Sequence, residues 1–172
     1  AFATMQNRHT GKRVVGIMGA AQIDRFGNLN STVIGDYHKP KVRFSGSGGA
    51  CDVASFVGRT IIFMQHEKRK FVRGVDYLTS PGWLGGPGQR EKIGLPGGGP
   101  SVVITNMAVM GFDSDSKEMF LKGCFPGASP RRIQACMEFE VDMSQATEVE
   151  PPSKDELQIL REVCDPQRLI LT

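Results

Sequence analysis

The chain has 172 residues, of which 40% are hydrophobic and 23% are charged, and its formal net charge is +3. This balance is typical of one globular domain with a single core, and it excludes a disordered chain and a strongly basic nucleic-acid-binding protein. No apolar run approaches the roughly 20 residues that a transmembrane helix needs, so we expect no membrane partner. The N-terminal residues lack the pattern of a secretory signal.

The predicted elements alternate between strands and helices before a run of strands. We predict strands at 13–19, 60–64, 75–79, 101–105, 108–112 and 118–122, and helices at 50–57, 131–137 and 154–163. The near-continuous apolar run 60–64 is typical of a strand buried on both faces. Glycines and prolines between residues 82 and 100 predict a long irregular loop. Together the elements predict an α/β open sheet with an antiparallel portion and C-terminal helices.

Two of the helices begin with local capping signals. Ser129 followed by Pro130 predicts an N-cap with proline in the first helical position. Ser153 followed by Glu156 is a capping-box pattern. Both starts are therefore predicted from the sequence alone.

A turn of small residues at 44–52 lies between the predicted strands and the first helix, and it contains Gly46, Gly48 and Gly49. Glycines before a helix allow backbone N–H groups to approach a phosphate, a carboxylate or a developing oxyanion. The turn lacks the dinucleotide fingerprint, because Cys51 stands where a third glycine is needed, and it lacks the lysine of a P-loop. A ligand-binding loop and a plain strand-to-helix turn remain equally good interpretations.

The cysteines and histidines show no metal-binding spacing. The cysteines are widely separated, at Cys51, Cys124, Cys136 and Cys164, which argues against zinc ribbons and thioredoxin chemistry. Reduced thiols in a cytoplasm are the simplest interpretation. His38 and His66 have no partner at a ligand spacing, so we predict surface or core histidines and no metal site.

The run 66–73 carries five positively charged side chains against one glutamate. We predict a solvated loop rather than a binding patch. If the run is a patch, the phosphates of a nucleotide-like cofactor are its natural target.

Several motifs follow one another in an order and spacing that resembles the β subunit of class I coenzyme A transferases. They are Gly19-Ala20-Ala21-Gln22-Ile23-Asp24, Gly27-Asn28-Leu29-Asn30-Ser31-Thr32, Ile34-Gly35-Asp36-Tyr37-His38, Ser45-Gly46-Ser47-Gly48-Gly49-Ala50, Met64-Gln65-His66-Glu67-Lys68-Arg69 and Thr79-Ser80-Pro81-Gly82-Trp83. The resemblance spans nearly the whole chain. Its specificity comes from the combination of motifs.

The resemblance implies a fold of the ribose-5-phosphate isomerase and CoA-transferase kind, paired with an α subunit. It implies ping-pong transfer of CoA between carboxylic acids, with glutaconate-like dicarboxylates as substrates, through a glutamyl-CoA thioester. A CoA thioester would be the substrate, and no tightly bound cofactor is implied. Gly48 and Gly49 match the turn that stabilises the oxyanion, and the substrate-binding candidates are Gln22, Asn28, Asn30, Gly46 and Ser47.

One departure from the family pattern concerns the nucleophile. Family β subunits carry a catalytic glutamate in a Glu-Ser-Gly or Glu-Asn-Gly turn before the segment that matches Val14, and no acidic residue here lies in such a turn. Residues 1–172 therefore resemble the C-terminal part of a single β-subunit domain, and we expect no catalysis from this part alone. Two alternatives stay open: a CoA-thioester ring-opening hydrolase of the same fold, and a non-catalytic ligand-sensing or assembly module.

Overall fold

A mixed six-stranded sheet forms the centre of the protein, which we describe from a computed structural model over residues 2–7 and 9–170. The strands are β1 (Val15–Met18), β2 (Gln22–Ile23), β3 (Leu29–Asn30), β4 (Val33–Gly35), β5 (Pro40–Arg43), β6 (Arg59–Phe63), β7 (Pro100–Ile104), β8 (Ala108–Phe112), β9 (Met119–Cys124) and β10 (Thr147–Glu148). The helices are α1 (Phe2–Gln6), α2 (Ala50–Phe56), α3 (Gln89–Lys92), α4 (Pro130–Ala135) and α5 (Lys154–Gln158). A 3-10 turn covers Gly11–Arg13, and a π-helical turn, Ile159–Cys164, continues α5.

The order of the central sheet is β1-β6-β7-β8-β9-β10. The β1/β6, β6/β7 and β9/β10 pairs are parallel, whereas β7, β8 and β9 form an antiparallel meander. Helix α2 connects β1 to β6 by way of two small hairpins, as a parallel pair requires a long crossover. The predicted α/β sheet with an antiparallel portion is therefore confirmed.

Two short hairpins leave the sheet after β1 and lead to the glycine turn. Strands β2 and β3 pair antiparallel, with Gln22 opposite Asn30. Strands β4 and β5 also pair antiparallel, with Val33 opposite Arg43. The hairpins place the polar loops of the first motifs beside the residues that precede α2.

The core lies on one face of the central sheet. Ile62, Val103 and Leu121 are fully buried there, and Val53 of α2 packs against this core. On the other face of the first strands, the exposed fractions of Ile17 and Phe63 are 73% and 47%. The prediction that β6 is buried on both faces is therefore wrong, because no described element covers this second face.

Two predictions about the middle of the chain are also wrong. Residues 75–79 form no strand, because Asp76 N donates to the Gln22 side chain and Thr79 N to the Leu29 carbonyl instead of to a continuous ladder. The loop between residues 82 and 100 contains helix α3. By contrast, the Ser129 cap and the Ser153–Glu156 capping box are both confirmed.

Candidate functional site

The glycine turn lies between β5 and α2, and its backbone requires glycine at two positions. The φ angles of Gly46 and Gly48 are 89° and 50°, in the left-handed region that side chains disfavour. Gly49 has φ −86° and serves as the N-cap of α2. A Cβ atom at any of these glycines would meet no atom within 4 Å, so the turn faces open space.

The backbone donors at the start of α2 are divided into two groups by Ser47. Ala50 N donates to the Ser47 carbonyl at 2.9 Å, and Cys51 N donates to Ser47 Oγ at 3.0 Å. The N–H groups of Gly48 and Gly49 have no acceptor within the described residues. The turn therefore presents two adjacent free donors at the positive end of a short helix, where an anionic oxygen would be stabilised.

A cavity of about 600 Å³ lies beside the residues that lead into the turn. Its lining consists of Ala20, Ala21, Ser31, Ile34, Val42, Phe44, Ser45, Arg69 and Lys70. Ser31 connects this wall to the turn, because its Oγ donates to the Gly46 carbonyl at 3.3 Å. Gly48 and Gly49 are not part of the lining, so they lie next to this cavity rather than in its wall.

Asn30 is at the centre of a buried hydrogen-bond network, with an exposed fraction of 0%. Its Nδ2 donates to Gln22 Oε1 and to the Val33 carbonyl, both at 2.6 Å. Its Oδ1 accepts from the backbone N–H of Thr32 at 3.0 Å. Gln22 in turn donates from Nε2 to an Asp76 carboxylate oxygen. These amides hold the two hairpins together, and the prediction that they contact substrate stays a prediction.

Asn28 fastens the first hairpin to the loop after residue 80. Its Oδ1 accepts from Gly82 N at 2.9 Å and from Leu84 N at 3.1 Å. Its Nδ2 donates to Asp24 Oδ2 at 2.8 Å. Burial raises the pKa of the Asp24 carboxyl group, while the hydrogen bonds from Asn28 act in the opposite direction. Asn28 therefore uses its polar atoms within the chain and supports the loop geometry.

Arg90 was not predicted, although it connects α3 to three other segments. Its exposed fraction is 1%, and it donates to the carbonyl groups of Ala54, Gly82 and Gly97. Burial lowers the pKa of its guanidinium group. The one available signal was the run of helix-forming residues at Gln89–Lys92 between the breakers, which predicts a short helix but not a buried cation.

The basic run is only partly a solvated loop. Lys68 and Arg69 are exposed, but His66 is 5% exposed and stacks on Phe71 with ring centroids 4.5 Å apart. Its Nε2 lies 3.0 Å from the Ile133 carbonyl, and burial lowers the pKa of the imidazole. His66 is therefore a core histidine and His38 an exposed one, as predicted.

Sequence comparison identifies the family. Residues 3–135 match the family model described as Coenzyme A transferase. The chain belongs to the coenzyme A transferase family.

Relatives within this family agree with the fold. The chain is 48% identical to the β subunit of glutaconate CoA-transferase from Acidaminococcus fermentans, over 96% of this chain and 62% of the relative. The crystal structure of that transferase superposes with a TM-score of 0.90 at 46% identity, and the match covers 95% of this chain and 63% of that one. The predicted CoA-transferase fold is therefore confirmed, and the chain spans less than two thirds of the relative's length.

More distant relatives in the family differ in their named reactions. The β subunit of 3-oxoadipate CoA-transferase from Pseudomonas knackmussii is 38% identical over 88% of this chain and 58% of its own length. The cholesterol ring-cleaving hydrolase IpdB subunit from Mycobacterium tuberculosis is 29% identical over 92% of this chain and 63% of its own length. Within the described residues, no helix of this coenzyme A transferase family member is long and apolar enough to cross a membrane.

Proposed function

We propose that the chain is the C-terminal part, residues 1–172, of a β-subunit domain in an enzyme that transfers CoA between carboxylic acids. The supporting observation is the extent of the likeness to the glutaconate CoA-transferase β subunit, which covers 96% of this chain but 62% of the relative. Glutaconate-like dicarboxylates are the substrates that we propose, by analogy with this relative. The ends of the proposed domain, residues 1 and 171–172, lie outside the described residues.

The role that we propose for this segment is to stabilise the oxyanion. A glutamate from the N-terminal part of the domain bonds through oxygen to the thioester carbonyl carbon, and the carbonyl electron pair moves onto its oxygen. The free N–H groups of Gly48 and Gly49 are suited to bind that oxygen. Each such donor lowers the barrier by about 3 kcal/mol in other acyl-transfer enzymes. The CoA sulfur leaves and then bonds to the glutamate carbonyl, which forms the glutamyl-CoA thioester.

The pocket residues divide into two proposed roles. Gly46 and Ser47 lie in the turn itself and are exposed or half-buried, so they are suited to touch the acyl-CoA directly. Gln22, Asn28 and Asn30 are buried and bonded to the chain, so we place them behind the pocket as supports. This assignment keeps all five residues in the site and changes how three of them act.

The proposed partner is a CoA-transferase α subunit. Two relatives are named as one subunit of a CoA-transferase, the second of its kind, which implies a first kind of subunit in those proteins. The exposed apolar face at Ile17 and Phe63 is suited to packing against further protein, either the N-terminal part of the domain or that α subunit. We expect activity only from the assembly that contains both.

A ring-opening hydrolase is the second candidate function. The observation in its favour is the 29% identity to the ring-cleaving hydrolase IpdB subunit over 92% of this chain. The presence or absence of a glutamate turn upstream of residue 1 discriminates between the two reactions. A non-catalytic ligand-sensing or assembly module is a third possibility, and binding of CoA esters without turnover would favour it.

The decisive experiment traps the covalent intermediate. The full-length β subunit, assembled with its α subunit, is incubated with glutaryl-CoA and then treated with borohydride or hydroxylamine. Transfer predicts one modified glutamate on the β subunit, detected by peptide mass spectrometry. Turnover without such a modification would contradict transfer and favour the hydrolase.

A further inference from the structure

The cavity beside the glycine turn, about 600 Å³ in volume, combines apolar walls with two cations. Its apolar lining includes Ile34, Val42 and Phe44, which suit a slender hydrocarbon chain. Its positively charged lining is Arg69 and Lys70, and no acidic residue contributes to it. This arrangement suits a ligand that is apolar along its length and anionic at one end.

Lys70 is the cation that has donors available for such an anion. Its side chain is 19% exposed, and its one ion pair joins Nζ to Glu67 Oε1 at 3.9 Å. No hydrogen bond satisfies its three N–H donors within residues 2–7 and 9–170, although a sheltered ammonium group is costly without partners. An anion in the cavity would supply acceptors that the chain does not.

Arg69 is already engaged by the same glutamate and remains at the rim. Its Nε donates to Glu67 Oε2 at 2.5 Å, and its side chain is 79% exposed. Arg69 therefore adds positive potential at the entrance, while Lys70 reaches the interior. The two neighbours have different roles because only Lys70 is sheltered from water.

We propose that Lys70 determines substrate specificity by binding the anionic end of a thioester's chain in this cavity. This inference rests on the proposed function and extends it to the choice of substrate. Two sources supply the same chemistry: the distal carboxylate of a dicarboxylic acyl group, or a phosphate of CoA. In both cases the apolar walls hold the intervening chain, and Ser31 and Ser45 lie at the side nearest the turn.

The test measures equilibrium binding to the full-length β subunit assembled with its α subunit. The probes are the 4-carboxybutyl and pentyl thioethers of CoA and of dephospho-CoA, which cannot undergo transfer. The variant is Lys70→Gln, and the matched control is Lys68→Gln, which removes an exposed cation of the same run. Lys70→Arg keeps the charge, and thermal unfolding of each variant reports folding.

We expect Lys70→Gln to weaken binding of one class of probe by about 10-fold or more, as the loss of a charge-assisted hydrogen bond implies. A loss confined to the carboxybutyl probes identifies the distal carboxylate, and a loss confined to the CoA probes identifies the phosphate. Lys70→Arg should retain most of the affinity, and Lys68→Gln should stay within about twofold of the wild type. Equal losses for all four probes, or no loss, would overturn the inference.

The binding test is independent of the transfer chemistry. The thioethers report whether Lys70 recognises an anion even if no glutamate is ever acylated. Conversely, borohydride trapping reports the transfer mechanism even if the Lys70 variant binds normally. Failure of one proposal is therefore distinguishable from failure of the other.

Discussion

Arg90 Nη2 lies 2.9 Å from the backbone carbonyl oxygen of Ala54, and this hydrogen bond joins α3 to the helix that follows the glycine turn. Arg90 has no salt-bridge partner among the described residues, so backbone carbonyl dipoles compensate its charge. Some of these carbonyls lie in the last turn of α2, where the helix dipole favours a cation. The buried guanidinium therefore fixes α2 relative to the loop at residues 81–97.

Replacing Arg90 should destabilise the protein without removing any group of the proposed oxyanion turn. We expect Arg90→Met to lower the free energy of unfolding by about 3 kcal/mol, because several buried carbonyls lose their donor. Arg90→Lys should recover only part, since an ammonium group lacks the planar fork of donors. Urea denaturation measures the change, and the exposed Arg131→Met serves as control. Equal stability of Arg90→Met and Arg131→Met would contradict this role.

Asn30→Asp should test the buried amide network by changing one atom type. The new carboxylate oxygen would face Gln22 Oε1 and the Val33 carbonyl, which now accept hydrogen bonds from Asn30 Nδ2. We expect a loss of about 2 kcal/mol or more in unfolding free energy, because buried acceptors would face one another without a donor. Gln145→Glu, an exposed amide-to-acid change, is the matched control for thermal denaturation. A pair of equal melting temperatures would show that the network contributes little.

His66 should make the stability depend on pH on the acidic side of neutrality. The unfolded chain carries this imidazole with its ordinary pKa of 6.5, whereas burial lowers the pKa in the fold, so protons favour the unfolded state. The contribution of neutral His66 is complete above that value and decreases as the pH falls below it, by at most about 1.4 kcal/mol per pH unit.

The matching measurement compares urea midpoints at several pH values between the wild type and variants. His66→Gln should flatten the decrease, whereas His38→Gln, at an exposed site, should leave it unchanged. An identical pH profile for His66→Gln and the wild type would exclude His66 as the titrating group.

Local signals in the sequence predicted much of the fold. The caps at Ser129 and Ser153 depend on hydrogen bonds within three residues, and the β7-β8-β9 meander depends on neighbouring strands. The glycine turn was also recognisable, because positive φ angles at Gly46 and Gly48 require that residue type. Such features are encoded within a few residues of where they occur.

Features that depend on distant partners could not be predicted in this way. Residues 75–79 have strand-forming side chains, but Asp76 bonds to Gln22, which lies 54 residues away in the chain. The burial of Arg90 depends on carbonyls of α2, and the cavity at Lys70 depends on two hairpins that meet only in the folded chain. Periodicity and composition carry no record of these contacts.

The central claim is that the Gly48 and Gly49 amides stabilise an oxyanion, and Gly49 offers a matched pair of substitutions. Its φ of −86° lies close to the range of proline, which removes the N–H, while alanine keeps it and meets no atom within 4 Å. The decisive measurement is kcat for CoA transfer from glutaryl-CoA by the full-length β subunit assembled with its α subunit. We expect Gly49→Pro to lower kcat by about 10²- to 10³-fold and Gly49→Ala to stay within a few fold of the wild type. Equal kcat values for the two variants would contradict the claim.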